Sequence, residues 1–162
     1  MRKLKIYIET SVISYLDQPE RGDKAVDSHR LWDKIKNGEF KAFISPVVAE
    51  ELDRCSEPKR SILQKYLRLI PLGVLQGNTE VAELTAAYIK AEILNQNCFD
   101  DCQHIAYACV HGCDIIVSWN FKHIVNHQTI SGVKSVNALA GYKEMLIYSP
   151  TMLIEGGAEN EI

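Results

Sequence analysis

Lys5-Ile6-Tyr7-Ile8-Glu9-Thr10-Ser11 is the stretch on which the fold turns. Ile6 and Ile8 alternate with Lys5 and Tyr7 at the period of a strand, and Thr10-Ser11 offers a helix cap ahead of Val12, Ile13, Tyr15 and Leu16. A strand therefore runs straight into a helix, with Glu9 at the junction. Working outward, the same alternation recurs. After a polar loop at 18–23, a helical pattern over 24–36 stops at Asn37-Gly38, and residues 40–44 read as the second strand. Ser45-Pro46 is a strong helix start, because serine caps and proline suits the first helical position; Glu50 and Glu51 ride on the helix that follows.

Residues 58–69 predict another helix, 70–75 a brief strand, and Gly77-Asn78 a turn. Val81, Leu84, Tyr88, Ala91 and Leu94 recur at three and four residues, the stripe of a long amphipathic helix. Cys102, Ile105, Ala106 and Cys109 form a further stripe that opens with Phe99-Asp100-Asp101 and closes at Gly112. Ile115-Ile116-Val117-Ser118 is short, apolar and followed by Trp119-Asn120, as a buried parallel strand should be. A helix over 138–142 and a strand over 145–148 complete the pattern. Strands alternating with helices predict an α/β fold whose mainly parallel sheet is covered on both faces, with ligand sites at the carboxyl ends of the strands.

A chain of 162 residues suits one domain, placed at 1–150, with an acidic C-terminal tail over 151–162. Hydrophobic residues at 46% and charged residues at 24% argue for a globular core rather than disorder. No apolar run approaches the roughly 20 residues of a membrane span, so a cytoplasmic location and no membrane partner are expected. Five cysteines without a disulfide-framework spacing fit a reducing compartment. With a net charge of −3 the whole molecule repels phosphate, so any nucleic-acid contact must be local. Nucleotide-binding glycine loops, the nucleophile elbow and the zinc-protease helix are all missing from the sequence.

Glu9, Glu51, Asp101 and Asn120 each fall just after a strand or at an adjoining helix start. A fold that gathers such carboxylates makes them repel, and a hard divalent cation relieves the repulsion while keeping several waters. Four separated motifs resemble the PIN-domain family over nearly the whole chain, residues 5–148. Tyr7-Ile8-Glu9-Thr10-Ser11 is similar to its opening strand and acid-Thr-Ser motif, with Glu9 where aspartate is usual. Ser45-Pro46-Val47-Val48-Ala49-Glu50-Glu51-Leu52 is similar to the second motif and points to Glu51 rather than Glu50. Asp101-Cys102-Gln103-His104-Ile105-Ala106 resembles the third, and Ile115-Ile116-Val117-Ser118-Trp119-Asn120 the last strand and turn, with Asn120 in the place of a fourth acid.

The resemblance is to the VapC-like toxin branch, with Glu at the first acidic site and Asn at the fourth. It implies a PIN-like three-layer α/β/α sandwich and a Mg²⁺- or Mn²⁺-dependent endoribonuclease, the toxin of a type II toxin–antitoxin pair. Its catalytic residues are then Glu9, Glu51, Asp101 and Asn120. The metal falls to Glu9, Glu51 and Asp101, and Thr10 and Ser11 orient phosphate or water. RNA, a small antitoxin protein and a second copy of the chain are the implied partners. The alternative is a catalytically weakened PIN-like module that binds RNA or protein.

Several residues carry plainer expectations. Asp100 is expected to cap its helix, Asp114 to serve a turn, and His104 and His123 to be structural. Four cysteines between Cys98 and Cys113 are spread too far along one helix to share a zinc ion, and are expected as core thiols. Trp119 is expected to be buried beside its strand, and Lys59, Arg60, Lys65 and Arg68 to form a solvated basic face.

Overall fold

A computed structural model of the chain describes residues 2–19, 22–94 and 98–159. Five strands, β1 (Leu4–Ile8), β2 (Phe40–Ile44), β3 (Leu72–Val74), β4 (Ile115–Val117) and β5 (Leu146–Tyr148), join in one sheet of order β3-β2-β1-β4-β5. Every pairing is parallel. The sheet is thus parallel throughout, one step beyond the mainly parallel arrangement expected. Ile6, Tyr7 and Ile8 of β1 and all three residues of β4 are buried, because helices cover both faces of the two central strands.

The helices are α1 (Thr10–Ser14), α2 (Asp23–Lys36), α3 (Pro46–Asp53), α4 (Lys59–Arg68), α5 (Thr79–Lys90), α6 (Phe99–Val110), α7 (His127–Ala140) and α8 (Pro150–Glu159). A 3₁₀ turn, Tyr15–Asp17, follows α1. The chain moves from the central strand β1 to β2 and β3 on one side and to β4 and β5 on the other, and crossovers of one hand taken in opposite directions place their helices on opposite faces. α5 packs on α6 and α7, while α2 packs on α8. The three-layer α/β/α fold expected from the sequence is the fold observed, and no helix among the described residues is long and apolar enough to cross a membrane.

Local chemistry explains where the helices begin. Ser45 Oγ accepts from Val47 N at 3.2 Å with Pro46 at the first position, Asn78 Oδ1 accepts from Val81 N at 2.9 Å, and Asn126 Oδ1 accepts from Thr129 N at 2.9 Å. Two helices differ from expectation. α5 ends at Lys90, short of Leu94, because Glu92 takes a positive φ of 54° that no helix continues. α7 begins at His127, eleven residues before 138, since Asn126 caps it; Gly141, at φ 83°, ends it.

The stretch 151–162, expected as an acidic tail, is instead helical from Pro150 to Glu159. Leu153 and Ile154 are buried, and Thr151 Oγ1 donates to Asp27 Oδ2 of α2 at 2.6 Å. Two adjacent apolar side chains and one hydrogen bond thus join it to the body of the domain. Glu20 and Arg21 of the polar loop, and residues 160–162 of the tail, lie outside the described residues.

Register sets the site. Ile8 pairs with Val117, and Glu9 N donates to Val117 O at 3.0 Å, so Glu9 and Ser118 leave the sheet side by side at the carboxyl edge. There the strand order reverses direction, the position at which open parallel sheets place their ligands.

Candidate active site

Glu9 is buried and caps α1. Its Oε2 accepts from Ser11 N at 2.9 Å; its Oε1 accepts from Ser11 Oγ at 2.6 Å and from Ser118 Oγ at 2.5 Å. Ser11 Oγ in turn accepts from Trp119 N at 2.8 Å, and Ser118 Oγ from Asn120 N at 2.9 Å. Two serine hydroxyls thereby tie the exit of β4 to the acid at the exit of β1. Ser118 was passed over in the sequence, where it reads only as the last residue of a strand.

Glu51, on α3, is held from both sides. Thr10 Oγ1 donates to its Oε1 at 3.0 Å, and His104 Nε2 meets the same oxygen at 2.5 Å. His104 lies fully buried on α6, and its Nδ1 is 2.6 Å from Tyr7 Oη, which is 2.7 Å from Ser45 Oγ. With His104 protonated on both nitrogens, Nε2 donates to Glu51, Nδ1 to Tyr7, and Tyr7 to Ser45, so the chain is satisfied end to end. Burial alone would push the His104 pKa down. The hydrogen bond to Glu51 and the charges of Glu9, Glu51 and Asp101 outweigh it and hold the value above 6.5. Burial likewise pushes Glu51 up, but the His104 and Thr10 hydrogen bonds and the His104 charge bring it below 4.5. Expected as merely structural, His104 is the residue that orients one of the acids.

Asp101 sits in the first turn of α6, half-buried, and no hydrogen bond reaches its carboxylate among the described residues. Its pKa is raised above 3.8, first by burial and next by the charge of Glu9, with Glu51 adding to the effect. The three acids thus face one another within electrostatic range, although Glu9 and Glu51 are tethered and Asp101 is not. Asn120 stands beyond β4, its Oδ1 accepting from His123 N at 2.9 Å, so its amide holds the turn 120–123 together.

A hard cation asks for carboxylate oxygens with lone pairs to spare. Among the described residues, Asp101 keeps both oxygens without a donor and Glu51 keeps Oε2, whereas Glu9 spends three bonds on serines. The repulsion that raises Asp101 is the kind such an ion relieves, so the residues fit Mg²⁺ or Mn²⁺. The three acids do not form the tightest ligand group. Among the described residues, the ligand atoms lying within 4.8 Å of one another belong to Cys98, Asp101 and His123.

The remaining expectations divide. Cys98, rather than Asp100, occupies the cap position of α6, and Asp100 faces Arg54 at 3.8 Å instead. Asp114 is more than a turn residue: Arg2 and Lys143 bridge it at 3.0 Å each and Lys5 N donates to it at 2.8 Å. Burial opposes that carboxylate's charge, yet these donors hold its pKa far below 3.8. Cys102, Cys109 and Cys113 are buried thiols whose pKa values burial pushes to about 12, 11 and 12. Trp119 is buried, its Nε1 donating to Ser28 Oγ at 2.8 Å. In the basic run, Lys59 is pinned to Ser14 O and Asp17, both at 2.8 Å.

No family model and no curated protein matches the sequence of this chain. Solved structures do match its shape. A chain of the VapBC2 complex from Rickettsia felis, bound to a DNA fragment from its promoter, superposes with a TM-score of 0.57 at 13% identity, over 90% of this chain and 98% of that one. VapC20 of Mycobacterium tuberculosis, a toxin that cleaves the sarcin-ricin loop, gives a TM-score of 0.53 at 17% identity over 68% of this chain and 86% of its own. Likeness at these identities is one of fold, and the α/β/α fold of this chain, with its parallel sheet, is the fold it shares with these two chains.

Proposed function

We propose that the protein is a Mg²⁺- or Mn²⁺-dependent endoribonuclease, acting as the toxin of a toxin–antitoxin pair. The observation that carries the reading is Asp101: a half-buried carboxylate without a hydrogen-bond partner among the described residues, raised by burial and by Glu9, at the carboxyl edge of a VapC-like sheet. Glu9, Glu51 and Asp101 would hold the cation. When bound, it supplies positive charge to a scissile phosphate and lowers the pKa of water. The chain's own residues set the geometry. Ser11 and Ser118 fix Glu9, Thr10 and His104 fix Glu51, and Asp101 is left to swing toward the ligand. Thr10 and Ser11 therefore act on the substrate through the acids they orient, and Asn120 through the turn it holds.

The test is cleavage of a mixed single-stranded RNA pool with Mg²⁺, Mn²⁺ or EDTA, comparing the protein with Asp101→Asn. Cutting that requires the metal and falls about 100-fold or more in the variant is expected, the scale on which removal of one group that stabilises transition-state charge is felt. Equal cutting in EDTA, or by the variant, overturns the reading.

A second reading rests on a specific observation: the Glu9 carboxylate and the Asn120 amide oxygen are both committed to internal hydrogen bonds, as in a module that binds without cutting. Titration calorimetry with Mn²⁺ separates the two, since that module predicts no heat dependent on Asp101. For the toxin role, a neighbour of the same fold occurs in a VapBC complex, and a small antitoxin is the partner proposed. Purification of the native protein from its host without a companion chain would count against it.

A further inference from the structure

Cys98, Asp101 and His123 come from two segments distant in sequence, the cap and first turn of α6 and the turn after β4. Each offers one ligand atom, and these atoms all lie within 4.8 Å of one another. Cys98 Sγ is 3.1 Å from His123 Nδ1. Cys98 is buried, while Asp101 and His123 are half-buried, so the group has a protein side and an open side.

The donor set is sulfur, imidazole nitrogen and carboxylate oxygen. Mg²⁺ takes oxygen ligands, whereas thiolate with imidazole selects a borderline ion of the zinc class. Three protein ligands with a free fourth position is the pattern of tetrahedral sites that keep a solvent molecule. Bond lengths of about 2.3 Å to sulfur and 2.0–2.1 Å to nitrogen separate the two donors by roughly 3.6 Å in a tetrahedral site. Opening the observed pair by about half an ångström meets that requirement.

The scaffold holds the donors in place. His123 N donates to Asn120 Oδ1 at 2.9 Å, and Thr129 Oγ1 donates to His123 O at 2.8 Å. Cys98 O accepts from Cys102 N at 3.0 Å in the first turn of α6.

We propose that Cys98, Asp101 and His123 form a site for a divalent transition-metal ion such as Zn²⁺, different in ligand chemistry from the acidic centre. Binding replaces the Cys98 S–H bond by a metal–sulfur bond and releases that proton to solvent, with no change of oxidation state. The bound ion holds Asp101, and on the ribonuclease reading it thereby removes that residue from the acidic centre and inhibits cleavage.

The experiment is a titration of the full-length, metal-free protein with Co²⁺, reading thiolate-to-cobalt charge-transfer absorption and then its displacement by Zn²⁺. One Co²⁺ per chain is expected, with a band that Zn²⁺ abolishes and that Cys55→Ser retains. Cys98→Ser should lose the band, and His123→Gln and Asp101→Asn should each bind Co²⁺ at least about 10-fold more weakly. Circular dichroism checks that each variant is folded; should Cys98→Ser unfold, His123→Gln decides. No band in the folded protein, a band that survives Cys98→Ser, or undiminished affinity in His123→Gln overturns the site. The spectrum is independent of RNA cleavage, so failure of the ribonuclease reading leaves this result standing, and the reverse holds equally.

Discussion

At the residue scale, the acids differ in how they are held, and the difference has a sign. His104 has its folded pKa above 6.5, so its contribution to stability is complete below that value and is lost as pH rises through the raised one. Glu51 has its folded pKa below 4.5, so its contribution is present above 4.5 and is lost as pH falls through the depressed value. The pair therefore stabilises most between about 4.5 and 6.5. Thermal unfolding against pH, in EDTA, should show the gap between the protein and Glu51→Gln widest in that window and narrowing on both sides; a flat gap would refute the pair. Asp101 behaves oppositely. Its raised pKa means the folded state holds its proton more tightly, so stability falls as pH rises above 3.8 and the penalty is complete above the raised value. Asp101→Asn should consequently melt at a higher temperature than the parent at pH 7 without divalent ions, and at the same temperature below pH 3.8. At this scale the sequence offered the acids as candidates, but the partners that orient them were hidden. His104 and Ser118 reach Glu51 and Glu9 across 53 and 109 positions, and no local pattern encodes such a contact.

At the scale of the element, helix ends follow from caps while packing decides what a helix tolerates. α7 went largely unread because Thr129, Ile130, Gly132 and Val133 are weak helix formers; its Asn126 cap was the signal available. Gly132 illustrates the limit of propensity. A methyl group there would lie 2.5 Å from Ile93 Cγ2 and 2.9 Å from its Cβ, a branch point unable to step aside cheaply. Alanine in a helix interior gains up to about 1 kcal/mol over glycine. Overpacking costs about 1–3 kcal/mol. Gly132→Ala is therefore expected to destabilise by about 1 kcal/mol, a fall of about 2–4 °C in Tm, measured by calorimetry. A rise would mean that Ile93 yields.

Across the whole molecule, closure of the domain involves its last helix. α8 packs on α2, burying Leu153 and Ile154 and joining Thr151 to Asp27. Burial of each such aliphatic side chain contributes about 1.5–3 kcal/mol. Truncation after Ser149 should then cost about 3–6 kcal/mol in urea unfolding, where a solvated tail would cost nothing. The fold class, the order of the strands along the chain and the choice of four candidate positions came from the sequence, because period, caps and turn residues act over a few neighbours. Tertiary structure alone decided that β1 lies between β2 and β4, and that Glu9 is fastened by two serines while Asp101 has no hydrogen-bond donor among the described residues. It also brought ligand atoms of Asp101, Cys98 and His123 within 4.8 Å of one another, and turned the tail into a packed helix. Those outcomes depend on contacts between residues far apart in the chain, made only when apolar faces select one packing arrangement among many.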